Sequence, residues 1–117
     1  MILEQMVYTR NRENQTIAIG TYKDHDYVVK SYGNYPCCYV SVKSSVDEKQ
    51  IECHGGVTWC DKNIPNEEPI PGMFWIGWDY AHGGDYICPY GRGKRWMTEE
   101  LEMACEEVID QLEVLGW

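Results

Sequence analysis

The sequence predicts an α+β domain, a small antiparallel sheet with one long C-terminal amphipathic helix packed on one face. Three observations carry that expectation. Short runs rich in β-branched and aromatic residues fill the first half of the chain. A near-continuous apolar run, Met73 to Trp78, follows a polar stretch that holds three prolines. Leu101, Cys105, Val108, Ile109, Leu112 and Leu115 then recur at helical spacing. With 117 residues the chain forms one domain, 1–117, with one core.

Taken in order, Thr16-Ile17-Ala18-Ile19, Tyr27-Val28-Val29-Lys30 and Cys38-Tyr39-Val40-Ser41-Val42 read as strands. Gly33-Asn34 supplies a turn between the second and third, and Pro36 marks the entry to the third. Residues 43–49 form a polar connection. Ile51 to Cys53 and Val57 to Cys60 are short strand-like pieces interrupted by Gly55-Gly56. Asp61 to Gly72 is a loop, since Pro65, Pro69 and Pro71 remove donors and fix φ. Met73 to Trp78 is the candidate central strand, and 83–96 is irregular, punctuated by Gly84, Pro89, Gly91 and Gly93. Thr98 is placed to cap the final helix, with Glu99, Glu100 and Glu102 at the positive end of its dipole. Gly116 is its stop. Glu106, Glu107, Asp110 and Glu113 occupy the opposite face, and Cys105 on the stripe reads as a small core residue.

The net charge of −9 argues against direct nucleic-acid binding through bulk electrostatics. Such a surface serves solubility, and it also suits docking on a basic partner. The N-terminus lacks a basic leader with an apolar core, and no run approaches the roughly 20 apolar residues of a membrane span. A cytoplasmic location is expected, with the six cysteines reduced; no C-x-x-C occurs, so a zinc ribbon is not indicated. Nine Tyr and five Trp against one Phe favour half-wet binding surfaces, although a small sheet also fills its core with such rings. Self-association into a homo-oligomer stays open.

Candidate chemistry concentrates between Cys53 and Asp85. Two of the three histidines lie there, each within three residues of a Gly-Gly pair, and Asp79 and Asp85 bracket His82. His54, Asp79, His82 and Asp85 make a candidate set for a divalent metal such as Zn, Mn or Fe(II), which would activate water for hydrolysis. Turn capping and core hydrogen bonding are the plainer roles for the same residues. Gly55-Gly56 and Gly83-Gly84 permit close backbone approach to a ligand. No serine occurs from residue 46 onward, which argues against a serine hydrolase. Cys53, Cys60 and Cys88 are the nearby thiols, with nothing evident to depress their pKa. Arg92, Lys94 and Arg95 form a basic loop before the helix, suited either to an anion or to balancing the acidic helix.

Together these predict a pocket for a small nucleotide-like ligand. Its expected contributors are His54, Gly55, Gly56, Thr58, Trp59, Trp75, Trp78, Asp79, His82 and Asp85, with Arg92, Lys94 and Arg95 on phosphates.

The same residues resemble a family of small proteins common in phages and prophages. Its pattern is His-Gly-Gly-(aliphatic)-Thr-(aromatic), then Trp-x-Gly-(aromatic)-Asp-x-(Ala/Asn)-His-x-Gly-Asp, then a helix with a Cys-Glu stretch. The chain is similar at His54-Gly55-Gly56-Val57-Thr58-Trp59, at Trp75 to Asp85 and at Ala104-Cys105-Glu106. Pro36 to Val42 is similar to the family's Gly-Tyr-Val-x-Val-like strand, so the resemblance spans 36–115. It departs at Tyr80, where many relatives carry a small residue or Cys. The resemblance implies a phage accessory protein, with counter-defence by ligand sequestration or by blocking an effector as the expected role. Three readings follow: ligand binding, metal-dependent hydrolysis, or an acidic inhibitor docking through Glu106, Asp110 and Glu113 on a basic host defence protein.

Overall fold

The computed structural model describes residues 1–3, 6–10, 13–89 and 91–117. Five antiparallel strands, β1 (Gln15–Tyr22), β2 (His25–Ser31), β3 (Pro36–Val42), β4 (Trp59–Asp61) and β5 (Phe74–Asp79), form one sheet in the order β1-β2-β3-β5-β4. The helix α1 (Thr98–Leu115) packs on one face. The fold is therefore α+β, as the sequence predicts. β5 is interior, as expected, while β3 holds the central position.

Alternation along the strands divides the buried side chains between two faces. Cys38, Val40, Ile76 and Trp78 point into the helix-side core, where Leu101, Cys105, Val108, Ile109 and Leu112 meet them. Burying each of these helix leucines and isoleucines contributes about 1.5–3 kcal/mol. Cys37, Tyr39 and Trp75 point the other way and are covered by the 61–72 loop, whose Ile64 is buried among them. Trp59 Nε1–H donates to Asn63 O at 2.8 Å, and Lys30 pairs with Glu67, so the loop is fastened to that face. This explains why every residue of β3 is buried. On β1 a bulge between Thr16 and Ala18 breaks the alternation and lets Ile17 and Ala18 both enter the core.

Several local features differ from expectation. Lys23 and Asp24, with φ of 49° and 64°, form the two-residue turn between β1 and β2. Positive φ at both positions matches the twist of a tight hairpin, but Lys-Asp is a weak sequence signal for it. Ile51 to Cys53 is not a strand, and Glu48–Gln50 forms a short 3-10 turn in the polar connection. Met97, not Thr98, takes the helix cap position; a thioether is a poor acceptor, and Glu100 Oε1 accepts the Met97 backbone N–H at 3.0 Å instead. Leu115, expected on the apolar stripe, is exposed. Gly116 (φ 76°) turns the chain so that Trp117 N–H reaches Leu112 O at 2.8 Å, and the Trp117 ring packs on the core in its place.

Three acidic residues of the helix, Glu102, Asp110 and Glu113, are tied to the sheet and its first hairpin. Tyr27 Oη donates to Glu102 at 2.5 Å, and Tyr22 Oη and Lys23 Nζ reach Asp110 at 3.0 and 2.6 Å. His25 is buried, with Nδ1 at 2.7 Å from Ser41 O and Nε2 at 3.0 Å from Glu113 Oε1. Both neighbours are acceptors when the carboxyl is ionised, so only a ring carrying a proton on each nitrogen satisfies the two together. Among the described residues no helix is long and apolar enough to cross a membrane.

Replacing His25 by Ala should cost about 1.5–3 kcal/mol, the range of a hydrogen bond to a charged group. Urea denaturation measures it, and an unchanged midpoint would show that the bridge to Glu113 holds nothing.

Candidate functional site

Three segments with no common strand ladder converge at the helix-side edge of β5. The first is the turn at 53–56, where Gly56 N–H donates to Cys53 O at 3.0 Å and Gly55 and Gly56 adopt φ of 71° and 79°. A Cβ on Gly55 would lie 2.1 Å from His82 Nε2, so glycine is required both by conformation and by the close passage of the imidazole. The second is the turn leaving β5. Asp79 accepts Ala81 N–H and the Thr58 hydroxyl, each at 3.2 Å, and Asp85 N–H donates to His82 O at 3.0 Å. The third is the stretch before α1, where Lys94 N–H donates to Gly84 O at 2.8 Å and Tyr86 N–H to Lys94 O at 2.9 Å. Trp96 N–H meets the Tyr8 hydroxyl at 3.0 Å, which brings the indole onto the site.

Asp85 joins all three. Its Oδ2 accepts from His54 Nε2 at 2.7 Å and from His82 N–H at 2.9 Å, and its Oδ1 accepts from Trp96 Nε1–H at 2.9 Å. The residue is 6% exposed. Burial alone would raise its pKa; the hydrogen bonds from His54, the His82 backbone and Trp96, with the His54 charge, outweigh it and hold the carboxyl below the usual range. An ionised carboxylate only accepts, so His54 Nε2 bears the proton of that bond. In the neutral ring Nδ1 is then the lone-pair nitrogen.

The His54 ring stacks on Tyr80 at 4.6 Å and 11°, and Trp96 meets both rings, at 5.1 Å from His54 and 4.9 Å from Tyr80. Tyr80 is itself fixed from below, its hydroxyl accepting Trp78 Nε1–H at 3.1 Å. His54 and Trp96, backed by the 1% exposed Tyr80, line one side of a cleft of about 440 Å³, and Glu100, Met103 and Glu107 of α1 line the other. That volume lies in the range of small-ligand sites. A cavity of about 480 Å³ lies at the far end of the helix beside His25 and Glu113. There both histidine nitrogens are already engaged, so the ring offers a ligand nothing.

The residues expected to bind ligand separate into two groups. His54, Gly55, Gly56, Thr58, Asp79, His82 and Asp85 come together at these turns. Trp78 is 1% exposed and belongs to the core under the helix; with Thr58, Trp59 and Asp79 it also borders a separate cavity of about 370 Å³. Trp75 is buried on the opposite face, where Trp59 also packs. Arg92, Lys94 and Arg95 are exposed and none lines the cleft. Lys94 Nζ lies 4.0 Å over the Trp96 ring and 2.6 Å from Glu100, and Arg95 lies 4.2 Å over Tyr86. Tyr80, Trp96 and Glu100 are the site residues that pattern reasoning passes over, because their roles depend on tertiary meetings without a local motif.

The four candidate metal ligands fall into two facing pairs, His54 with Asp85 and Asp79 with His82. His82 Nε2 is 3.1 Å from Asp79 Oδ1 but out of hydrogen-bond alignment, and that nitrogen is enclosed without a partner although the ring as a whole is part-exposed. Among the described residues no three His, Cys, Asp or Glu side chains converge as a metal-binding group. Cys53, the thiol on the cleft, is pushed up to about 11 by burial, so it is a protonated thiol at neutral pH.

No protein-family model, curated protein or solved structure matches the chain, so its chemistry is read from the site's own geometry.

Gly55→Ala should lower stability by at least about 1–2 kcal/mol, the cost of a left-handed alanine, with the displaced His82 ring adding to it; a thermal melt indistinguishable from wild type would contradict the close passage. Asp85→Asn should cost on the order of 2 kcal/mol at neutral pH. Because the folded carboxyl is depressed, that contribution exists above the ordinary carboxylate range and disappears as pH falls through the folded value. Denaturation at pH 7 and pH 3 should therefore show the gap between wild type and Asp85→Asn closing in acid. A gap that persists in acid would mean the charge is not what matters.

Proposed function

We propose that the chain is a phage-type accessory protein that binds a small nucleotide-like ligand by its flat ring, in the cleft walled by His54 and Trp96, with the buried Tyr80 ring supporting them from behind. The observation that carries this reading is the ring cluster on one side of the cleft, held in place by the hydrogen bonds to Asp85. A preorganised aromatic wall binds a planar group without ordering cost, and stacking is tolerant of base identity. Met103, exposed on the facing helix, supplies an adaptable apolar surface for the other side of such a ring.

The counter-defence role and the bacterial cytoplasm as its setting come from the family resemblance, and sequestration of a ligand fits a cleft whose one thiol is protonated. Metal-dependent hydrolysis finds little support in two separate His/Asp pairs. Docking through the acidic helix face is weakened because Asp110 and Glu113 are already held by Lys23, Tyr22 and His25.

Titration calorimetry with the common nucleosides and their monophosphates tests the reading. At least one should bind, and Trp96→Ala should weaken it by about 5- to 100-fold, the worth of one stacked base at ~1–3 kcal/mol. Absence of heat and of thermal stabilisation at millimolar concentration across the panel would contradict it.

A further inference from the structure

Resting on that binding site, we infer that the cleft rejects phosphate and selects a flat, donor-rich group of neutral or positive charge, such as an amino-substituted heterocycle or an amidinium. Its polar lining is almost wholly made of acceptors. Glu52, Glu100 and Glu107 line it, and among the described residues no Lys or Arg does. Glu52 and Glu107 form no ion pair among the described residues, whereas Glu100 is engaged by Lys94 and the Met97 N–H. His54 offers no donor from Nε2, which is committed to Asp85.

Four of the nearby donors are already used. The Trp96 indole N–H and the His82 N–H both go to Asp85, and Gly56 N–H goes to Cys53 O. Glu52 N–H is taken by Gln111 Oε1 at 2.7 Å. An anion placed here would meet the carboxylates of Glu52, Glu100 and Glu107. A planar group bearing N–H donors would stack on the His54 and Trp96 rings while donating to the glutamates, and a positive charge would gain from the ring faces as well. The basic residues that sequence pattern assigns to phosphates are turned onto Tyr86, Trp96 and Glu100.

The test is titration of the full chain with adenosine and cytidine, their 5′-monophosphates, inorganic phosphate and benzamidine, repeated with Glu52→Gln and Glu107→Gln. These two glutamates lie on the cleft without fold-bearing ion pairs, so the variants should remain folded. The expected result is that the nucleosides bind, each monophosphate binds at least about tenfold more weakly, and the gap narrows in either variant and at high salt. Inorganic phosphate should give no heat. Benzamidine binding without nucleoside binding would support the donor-rich selection and overturn the nucleobase reading of the site. Monophosphates binding as well as or better than nucleosides would overturn the inference while leaving the binding cleft standing. No binding by any probe would overturn both.

Discussion

The carboxylate of Asp85 is the constraint on which the rest of the site depends. It accepts hydrogen bonds from an imidazole, an indole and a backbone amide that arrive from three segments joined by no continuous ladder. Each bond to a charged acceptor is worth about 1.5–3 kcal/mol in such a setting, enough together to fix turns that have little other regular pairing. Without the carboxylate, the indole and imidazole N–H groups would be left facing each other across a cramped space. The ionisation of Asp85 then propagates outward, because it requires His54 Nε2 to hold the proton of their bond.

The sheet supplies the platform for this carboxylate. β5 lies between β3 and β4, and alternation along it sends Trp78 into the helix-side core while Trp75 supports the other face. Trp78 then holds Tyr80, Tyr80 stacks on His54, and Trp96 closes the corner. A chain of rings thus runs from the core to the cleft. The facing wall is the first half of α1, where acidic residues suit the positive end of the helix dipole. The glutamates that favour the start of the helix also give the cleft its negative lining, so helix stability and ligand preference share residues.

Much of the fold was legible because it follows from periodicity. The strands around Ile17, Val29 and Val40 and the helix stripe from Leu101 to Leu112 express simple burial patterns. The Lys23-Asp24 hairpin was not, since its residues carry none of the usual turn chemistry, and tertiary packing of the strands imposes their positive φ. Of the site, His54, Gly55, His82 and Asp85 were visible as an unusual crowding of ionisable side chains beside permissive backbone. Trp75 and Trp78 are buried in the two cores, and a tryptophan at a strand end looks the same in sequence whether it faces a ligand or a core. The three basic residues before the helix were assigned to phosphate by local composition, which says nothing of the aromatic rings and glutamate that they meet in space. Tyr80 and Trp96 became site residues only through contacts that no local pattern encodes.

The protonation pattern of the site offers the most direct measurement of the central claim. Long-range ¹H–¹⁵N NMR of the histidine rings, with the tryptophan indole N–H signals followed in the same sample, reports both bonds to Asp85 at once. His54 should hold its proton on Nε2 and the Trp96 indole N–H should exchange slowly with solvent, with both properties lost together in Asp85→Asn. A His54 ring protonated on Nδ1 alone, or averaging freely between tautomers in the wild-type chain, would contradict that claim.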